Sequence, residues 1–171
     1  MRKFLALIAA FVGMGAAANA EKAEMRVMSH SFKPLADGFF VSPQIAPGDV
    51  EAAKALGVAL IINNRPDGEE PGQPKSAAIA AAAKAAGIAY LEIPVSGMSI
   101  SPAHLDAFDA AMKENEGPVL AFCRSGTRST VLRAFARARA GDSADAIISE
   151  AADAGYNIAG QRGALIALGA K

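Results

Sequence analysis

The apolar run Pro118-Val119-Leu120-Ala121-Phe122 leads straight into Cys123-Arg124-Ser125-Gly126-Thr127-Arg128-Ser129, after which Val131, Leu132 and Phe135 recur at helical spacing. A short, continuous apolar run is the pattern of a strand buried on both faces, as in a parallel sheet. The helical pattern puts Arg133 and Arg137 on a face of their own, so the loop between the two patterns runs directly into a helix N-terminus. Strand, loop, helix is the local plan that the rest of the chain has to accommodate.

This plan has a chemical consequence. The first N–H groups of a helix have no partners within it and favour an anion in the preceding loop. Beside them and the arginines, Cys123 is expected to be a thiolate. Gly126 permits a turn that gathers backbone N–H groups into a concave nest, Ser125, Thr127 and Ser129 can fix that turn, and Arg128 offers a planar fork matched to oxyanions. Arg124 faces either the anion or water. The competing reading is an inert core cysteine ending an apolar strand; two arginines, a glycine and three hydroxyls in the next six positions weigh against it.

At the other end, Met1-Arg2-Lys3 is basic, Phe4 to Val12 is apolar, and Ala18-Asn19-Ala20 has small residues at both cleavage positions, the layout of a secretory signal peptide over residues 1–20. Gly13, Gly15 and Asn19 interrupt the run, which falls short of the roughly 20 apolar residues of a membrane span. Cleavage would leave 151 of the 171 residues, enough for one domain with a proper core, and a periplasmic location. Removing Arg2 and Lys3 leaves 15 basic against 17 acidic residues, so there is no global attraction to nucleic acid or to a membrane. The chain has one cysteine, which in an exported protein can form no internal disulfide and has no resolving partner, so any sulfur it accepts must leave on another molecule.

Residues 21–31 read as a polar arm. Its Met25, Met28 and His30 could take a soft metal, although a loosely packed arm is the commoner meaning of so few ligands. A single domain is expected over 32–171. Phe32–Leu35 and Phe39–Val41 around Ala36-Asp37-Gly38 predict a hairpin, with Pro34 keeping the first strand at an edge. Helical segments follow Pro47, Lys75, Ser101 and Asp142 or Ser143, and a last one covers Gln161–Leu168; strands are expected at Val58–Ile62 and Ile88–Val95. The long polar loop Asn63–Pro74 should emerge on the same sheet edge as Cys123, where open α/β sheets bind ligands. Arg65 could reach a bound anion there and Asp67 could orient Arg65 or Arg128; Glu69 and Glu70 read as a solvated turn. Tyr156 reads as a packing aromatic. With only His30 and His104, no His, Cys and carboxylate pattern suggests a metal, and no cofactor is called for.

In order and spacing, Val41-Ser42-Pro43-Gln44, Asn64-Arg65-Pro66-Asp67-Gly68-Glu69, Ile93-Pro94-Val95 and Ala121–Ser129 resemble the β-lactamase-hydrolase-like, phosphatase-like domain family, whose members are often labelled sulfur transferases. The resemblance implies an α/β fold of dual-specificity-phosphatase type, a central, mainly parallel sheet flanked by helices. It also implies two departures from the phosphatases. Their loop sets five residues between nucleophilic cysteine and arginine, whereas here Arg124, Ser125, Gly126 and Thr127 alone intervene, as in a rhodanese loop that holds a cysteine persulfide. Their general acid comes from the loop matching Ser96–Ser101, which contains no acid here; an unassisted leaving group would forfeit about 10²–10⁴ in rate. The expectation is therefore a periplasmic sulfurtransferase. Cys123 would accept sulfane sulfur from a small anionic donor and pass it to a thiol acceptor, with Arg128 catalytic and Arg124, Ser125, Gly126, Thr127, Ser129 and Arg65 binding the donor. Alternatives are a cysteine-dependent phosphoester hydrolase and a non-catalytic oxyanion or persulfide carrier.

Overall fold

The computed structural model describes residues 32–36 and 38–171. Residues 1–20, expected to be a signal peptide, the segment with Met25, Met28 and His30, and Asp37 lie outside the described residues.

Five strands form one sheet in the order β1-β2-β5-β3-β4: β1 (Lys33–Ala36), β2 (Phe39–Ser42), β3 (Leu60–Asn63), β4 (Ala89–Glu92) and β5 (Val119–Phe122). Only the β1–β2 pair is antiparallel; β2–β5, β5–β3 and β3–β4 are parallel. Pro34 lies in β1, an edge strand, where its missing N–H interrupts no ladder. β5 is central and buried throughout, in keeping with its unbroken apolar sequence.

Helices cover both faces, and the two-residue period of the strands sorts the core accordingly. Ile61, Leu120 and Phe122 pack with Val50 and Ala53 of α1 (Val50–Ala55) and Ile79 and Ala83 of α2 (Ser76–Ala86). On the other face Leu60, Ile62, Val119 and Ala121 meet Leu105 and Phe108 of α3 (Pro102–Glu114), Val131 and Leu132 of α4 (Thr127–Arg139), Ile147 of α5 (Ala144–Asp153) and Leu165 of α6 (Arg162–Leu168). This is the α/β fold with a central mixed sheet that the sequence pattern and the resemblance anticipate.

The expected strands are longer than the paired ones. Val58, Ile93 and Val95 are buried, but their amides bond outside the ladder: Val58 N–H donates to Ala53 O, Ile93 N–H to Asn63 O and Val95 N–H to Asn64 O. Burial extended the apolar runs further than hydrogen bonding did. The last two bonds also tie the segment after β4 to the one after β3. Asn64 N–H donates to Phe122 O and Gln44 N–H to Arg124 O, so the loops after β2, β3, β4 and β5 are knitted together at one edge of the sheet.

Candidate active site around Cys123

Cys123 follows β5 and has no accessible surface. Gly126 N–H donates to its Sγ at 3.1 Å. That turn requires φ +93° at Gly126, a left-handed conformation that glycine adopts without strain, and α4 starts at the next residue. The Ser125 and Thr127 hydroxyls are 3.1 Å apart on the exposed side of the loop, and Thr130 Oγ1 donates to Gly126 O at 3.0 Å, fastening the turn to the helix behind it. The Ser129 Oγ is buried with no hydrogen-bond partner.

Arg128 is nearly buried, and its guanidinium is largely engaged: Nη1 donates to Glu69 Oε1 at 2.6 Å and to Val95 O at 2.6 Å, and Nη2 to Glu69 Oε2 at 2.8 Å. Three of the five N–H groups of an arginine are thus spent on orientation, leaving Nε–H and one Nη2–H. The hydrogen bonds to Glu69 raise the Arg128 pKa, against burial, and the charge at Cys123 raises it further. Arg128 is thereby a fixed cation between Glu69 and the cysteine.

Glu69 also accepts from Arg65 Nε at 2.9 Å. Gripped first by Arg128 and then by Arg65, its carboxyl falls to a pKa of about 2 even though burial opposes ionisation. Arg65 lies elsewhere than expected. It is 1% exposed, donates from Nη1 to Gln44 Oε1 and pairs through Nη2 with Glu70 at 2.9 Å. Burial opposes its charge, but its hydrogen bonds to Glu70 and Glu69 more than offset this and raise its pKa. Arg65 is a buried strut that holds the acidic pair, rather than a lining residue that meets an anion. Asp67 does not orient either arginine: its Oδ1 accepts from Ser76 N–H at 2.9 Å and Ser76 Oγ–H at 2.6 Å, capping α2, and these bonds lower its pKa. The loop of 64–74 is closed on itself by Gln73, which accepts from Glu69 N–H and donates to Pro66 O.

An open cleft of about 440 Å³ lies over this arrangement, lined by Glu69, Gly97, Met98, Arg124, Ser125, Thr127 and Arg128. Arg124 is 69% exposed at its rim and pairs with Glu70 at 3.2 Å. The loop matching the acid-bearing loop of phosphatases therefore reaches the cleft, and brings a glycine and a methionine. The structure gathers Cys123, Arg124, Ser125, Gly126, Thr127, Arg128 and Ser129 into one loop and sets Arg65 behind it. Two further residues belong to the site. Glu69 has a weak sequence signal in its i,i+4 spacing from Arg65, but its pairing with Arg128 crosses 59 positions. Tyr156 is buried with its hydroxyl unpaired, against the very loop that holds Cys123: a Cβ built on Gly126 would lie 2.1 Å from Tyr156 Oη. Among the described residues no three His, Cys, Asp or Glu side chains converge as metal ligands would.

Residues 31–140 match the family described as beta-lactamase hydrolase-like protein, phosphatase-like domain. The chain belongs to this family. A beta-lactamase hydrolase-like protein of Agrobacterium fabrum is 51% identical over 90 residues, which are 53% of this chain and 20% of that protein. The chain thus spans about a fifth of the length of that curated relative. A candidate phosphatase of Neisseria meningitidis with a solved structure is 36% identical, with a TM-score of 0.73 over 81% of this chain and 98% of that one. The core catalytic domain of the PP-IP phosphatase SIW14 of S. cerevisiae, at 18% identity, shares the fold, with a TM-score of 0.60 over 80% of this chain and 83% of that one. The family description and the shared fold mark the domain as phosphatase-like.

Proposed function

We propose that the protein is a cysteine-dependent sulfurtransferase working on a phosphatase fold. The observation that carries this reading is the state of Glu69. Among the described residues it is the one carboxylate lining the cleft, and two arginines hold it ionised with a pKa of about 2. It can orient Arg128 but cannot protonate a leaving alkoxide at neutral pH. Sulfane-sulfur transfer needs no such proton. The Cys123 thiolate attacks the outer sulfur of thiosulfate, the S–S bond breaks, and sulfite leaves with the bonding pair. Gly126 N–H and the free N–H groups of Arg128 stabilise the charged persulfide. An acceptor thiolate then takes the outer sulfur, leaving on the acceptor as a persulfide and returning Cys123 as a thiolate.

Phosphoester hydrolysis is the second reading, and the solved relatives favour it: the Neisseria protein that matches most of the chain is a candidate phosphatase. Here Cys123 attacks phosphorus, Arg128 holds the phosphoryl oxygens, and water releases phosphate. Without an acid, the rate should fall steeply from aryl to alkyl esters.

The test is the intact mass of the reduced protein after brief exposure to thiosulfate, beside Cys123→Ser. The expected result is a gain of one sulfur that requires Cys123 and is lost on adding cyanide. An unmodified Cys123, together with Cys123-dependent turnover of alkyl phosphates, would put hydrolysis in its place. Export belongs to the same proposal: a mature N-terminus at Glu21 in a periplasmic extract supports it, and an intact Met1 or Arg2 start in the cytoplasm counts against it.

A further inference from the structure

Tyr156 lies beyond the residues matched by the family description, yet its side chain reaches the cysteine loop. Gly155, at φ +83°, closes α5 and turns the chain back, and Tyr156 N–H bonds to Ala151 O. The ring is then 6% exposed, with Lys33 Nζ of β1 stacked 4.8 Å from its centroid. The hydroxyl sits so close to Gly126 that no side chain fits between them, and it has no hydrogen-bond partner.

A buried hydroxyl with nothing to bond is unfavourable, because it has given up water without replacement. Phenylalanine would fill the same space without that penalty. The O–H is thus not accounted for by packing in the resting protein. Its surroundings indicate when it finds a partner. Gly126, the residue it touches, is the one whose N–H meets Cys123 Sγ. Cys123 has no accessible surface, so a reagent can reach its sulfur only if the groups covering it shift. A hydroxyl hydrogen rotates freely to meet an acceptor.

We propose that Tyr156 is a positioning residue for the chemistry of Cys123, its hydroxyl being the reserve hydrogen-bond donor that the sulfur takes up when the loop shifts and Cys123 is charged or loaded. The proposal rests only on Cys123 being the nucleophile, which sulfur transfer and phosphoester hydrolysis share. Burial, and then the charge of Cys123, push the Tyr156 pKa up to about 12, which keeps the proton in place for donation. Arg128 of α4 is the other charged group coupled to Cys123, and Lys33 is the cation over the tyrosine ring. Arg128, raised by its hydrogen bonds to Glu69, keeps its charge between pH 5 and pH 9, so a change in reactivity over that interval does not come from it.

Because the chain has one cysteine, alkylation by iodoacetamide reads this site alone. In the intact protein, rates are measured from pH 5 to pH 9 for wild type and Tyr156→Phe, with thermal midpoints alongside. The expected result for Tyr156→Phe is a rate at pH 7 about tenfold lower, from an upward-shifted profile, at an equal or higher midpoint. Coincident profiles would overturn the proposal. So would a Tyr156→Phe protein with a lowered midpoint, since the hydroxyl would then be holding the resting fold. The wild-type rate tests the nucleophile common to both functional readings, and the difference between the two proteins tests Tyr156. A wild-type Cys123 that resists the reagent at every pH overturns both.

Discussion

Gly126→Ala is expected to reduce Cys123-dependent activity by about 10²–10³-fold and to lower the thermal midpoint. Two separate causes act on one atom. The added methyl would sit 2.1 Å from Tyr156 Oη and 2.7 Å from its Cζ, so ring or loop must move. An alanine at φ +93° is strained even where there is room, by about 1–2 kcal/mol. Relief of either pushes the loop out of the turn that aims Gly126 N–H at Cys123 Sγ, and loss of one such donor is worth about 2.7–4 kcal/mol of transition-state stabilisation in comparable anion cradles. The double variant Gly126→Ala with Tyr156→Ala separates the causes. Beside Tyr156→Ala alone, which has the same cavity and the same missing hydroxyl, the double variant is free of the collision, so any remaining loss of midpoint and activity is the cost of φ +93° at an alanine. A double variant equal to Tyr156→Ala would mean that the loop conformation is dispensable and that the collision was the whole defect.

How much of this site could be read along the chain depends on how far apart its partners lie. The loop from Cys123 to Ser129 was legible because strand, nest and helix N-terminus are contiguous, so sequence order alone sets their geometry. The hairpin at β1–β2 and the helices after Pro47, Lys75, Ser101 and Ser143 were legible for the same reason. Arg65 was not. A cation in a polar loop ordinarily faces solvent; the i,i+4 spacing to Glu69 is a weak signal by itself, and nothing local brings Gln44 over the guanidinium. Asp67 has the same history: its partner Ser76 is nine residues away, across a loop whose fold is set by Gln73. Tyr156 read correctly as a packing aromatic, but which surface it packs on is decided by the docking of α5 against the sheet, a tertiary fact. The residues that orient Cys123 and Arg128 were thus the least visible, since each does its work across a gap in sequence.

Glu69→Gln should be the most destabilising of the conservative substitutions in the loop of 64–74, and should also flatten the acid limb of the stability curve. Arg65 and Arg128 have side chains 1% and 9% exposed, and both pair with this one carboxylate, itself 25% exposed. Glutamine keeps the shape and can still accept hydrogen bonds, but leaves two buried cations facing a neutral amide, with Glu70 as the remaining counter-charge for Arg65. Breaking a fully buried pair costs about 3–5 kcal/mol; the partial exposure of Glu69 screens some of this, so about 2–3 kcal/mol is expected. The pH dependence follows from the sign of the shift. The folded-state pKa of Glu69 is about 2 against an ordinary 4.5, so the stability it contributes is complete above about pH 4.5 and is lost as pH falls toward 2. Glu70 and Asp67, both lowered by their own partners, add to the same acid limb. Urea midpoints measured from pH 2 to pH 7 should therefore be flat for wild type above about 5 and fall steeply below it. In Glu69→Gln the curve should start lower and fall less. Parallel curves would show that Glu69 is not ionised by these arginines, and would restore it as a possible acid for phosphoester cleavage. Cys123-dependent activity should weaken as well, because Arg128 would keep only Val95 O and one amide oxygen, in place of the bidentate carboxylate, to hold the guanidinium against Cys123.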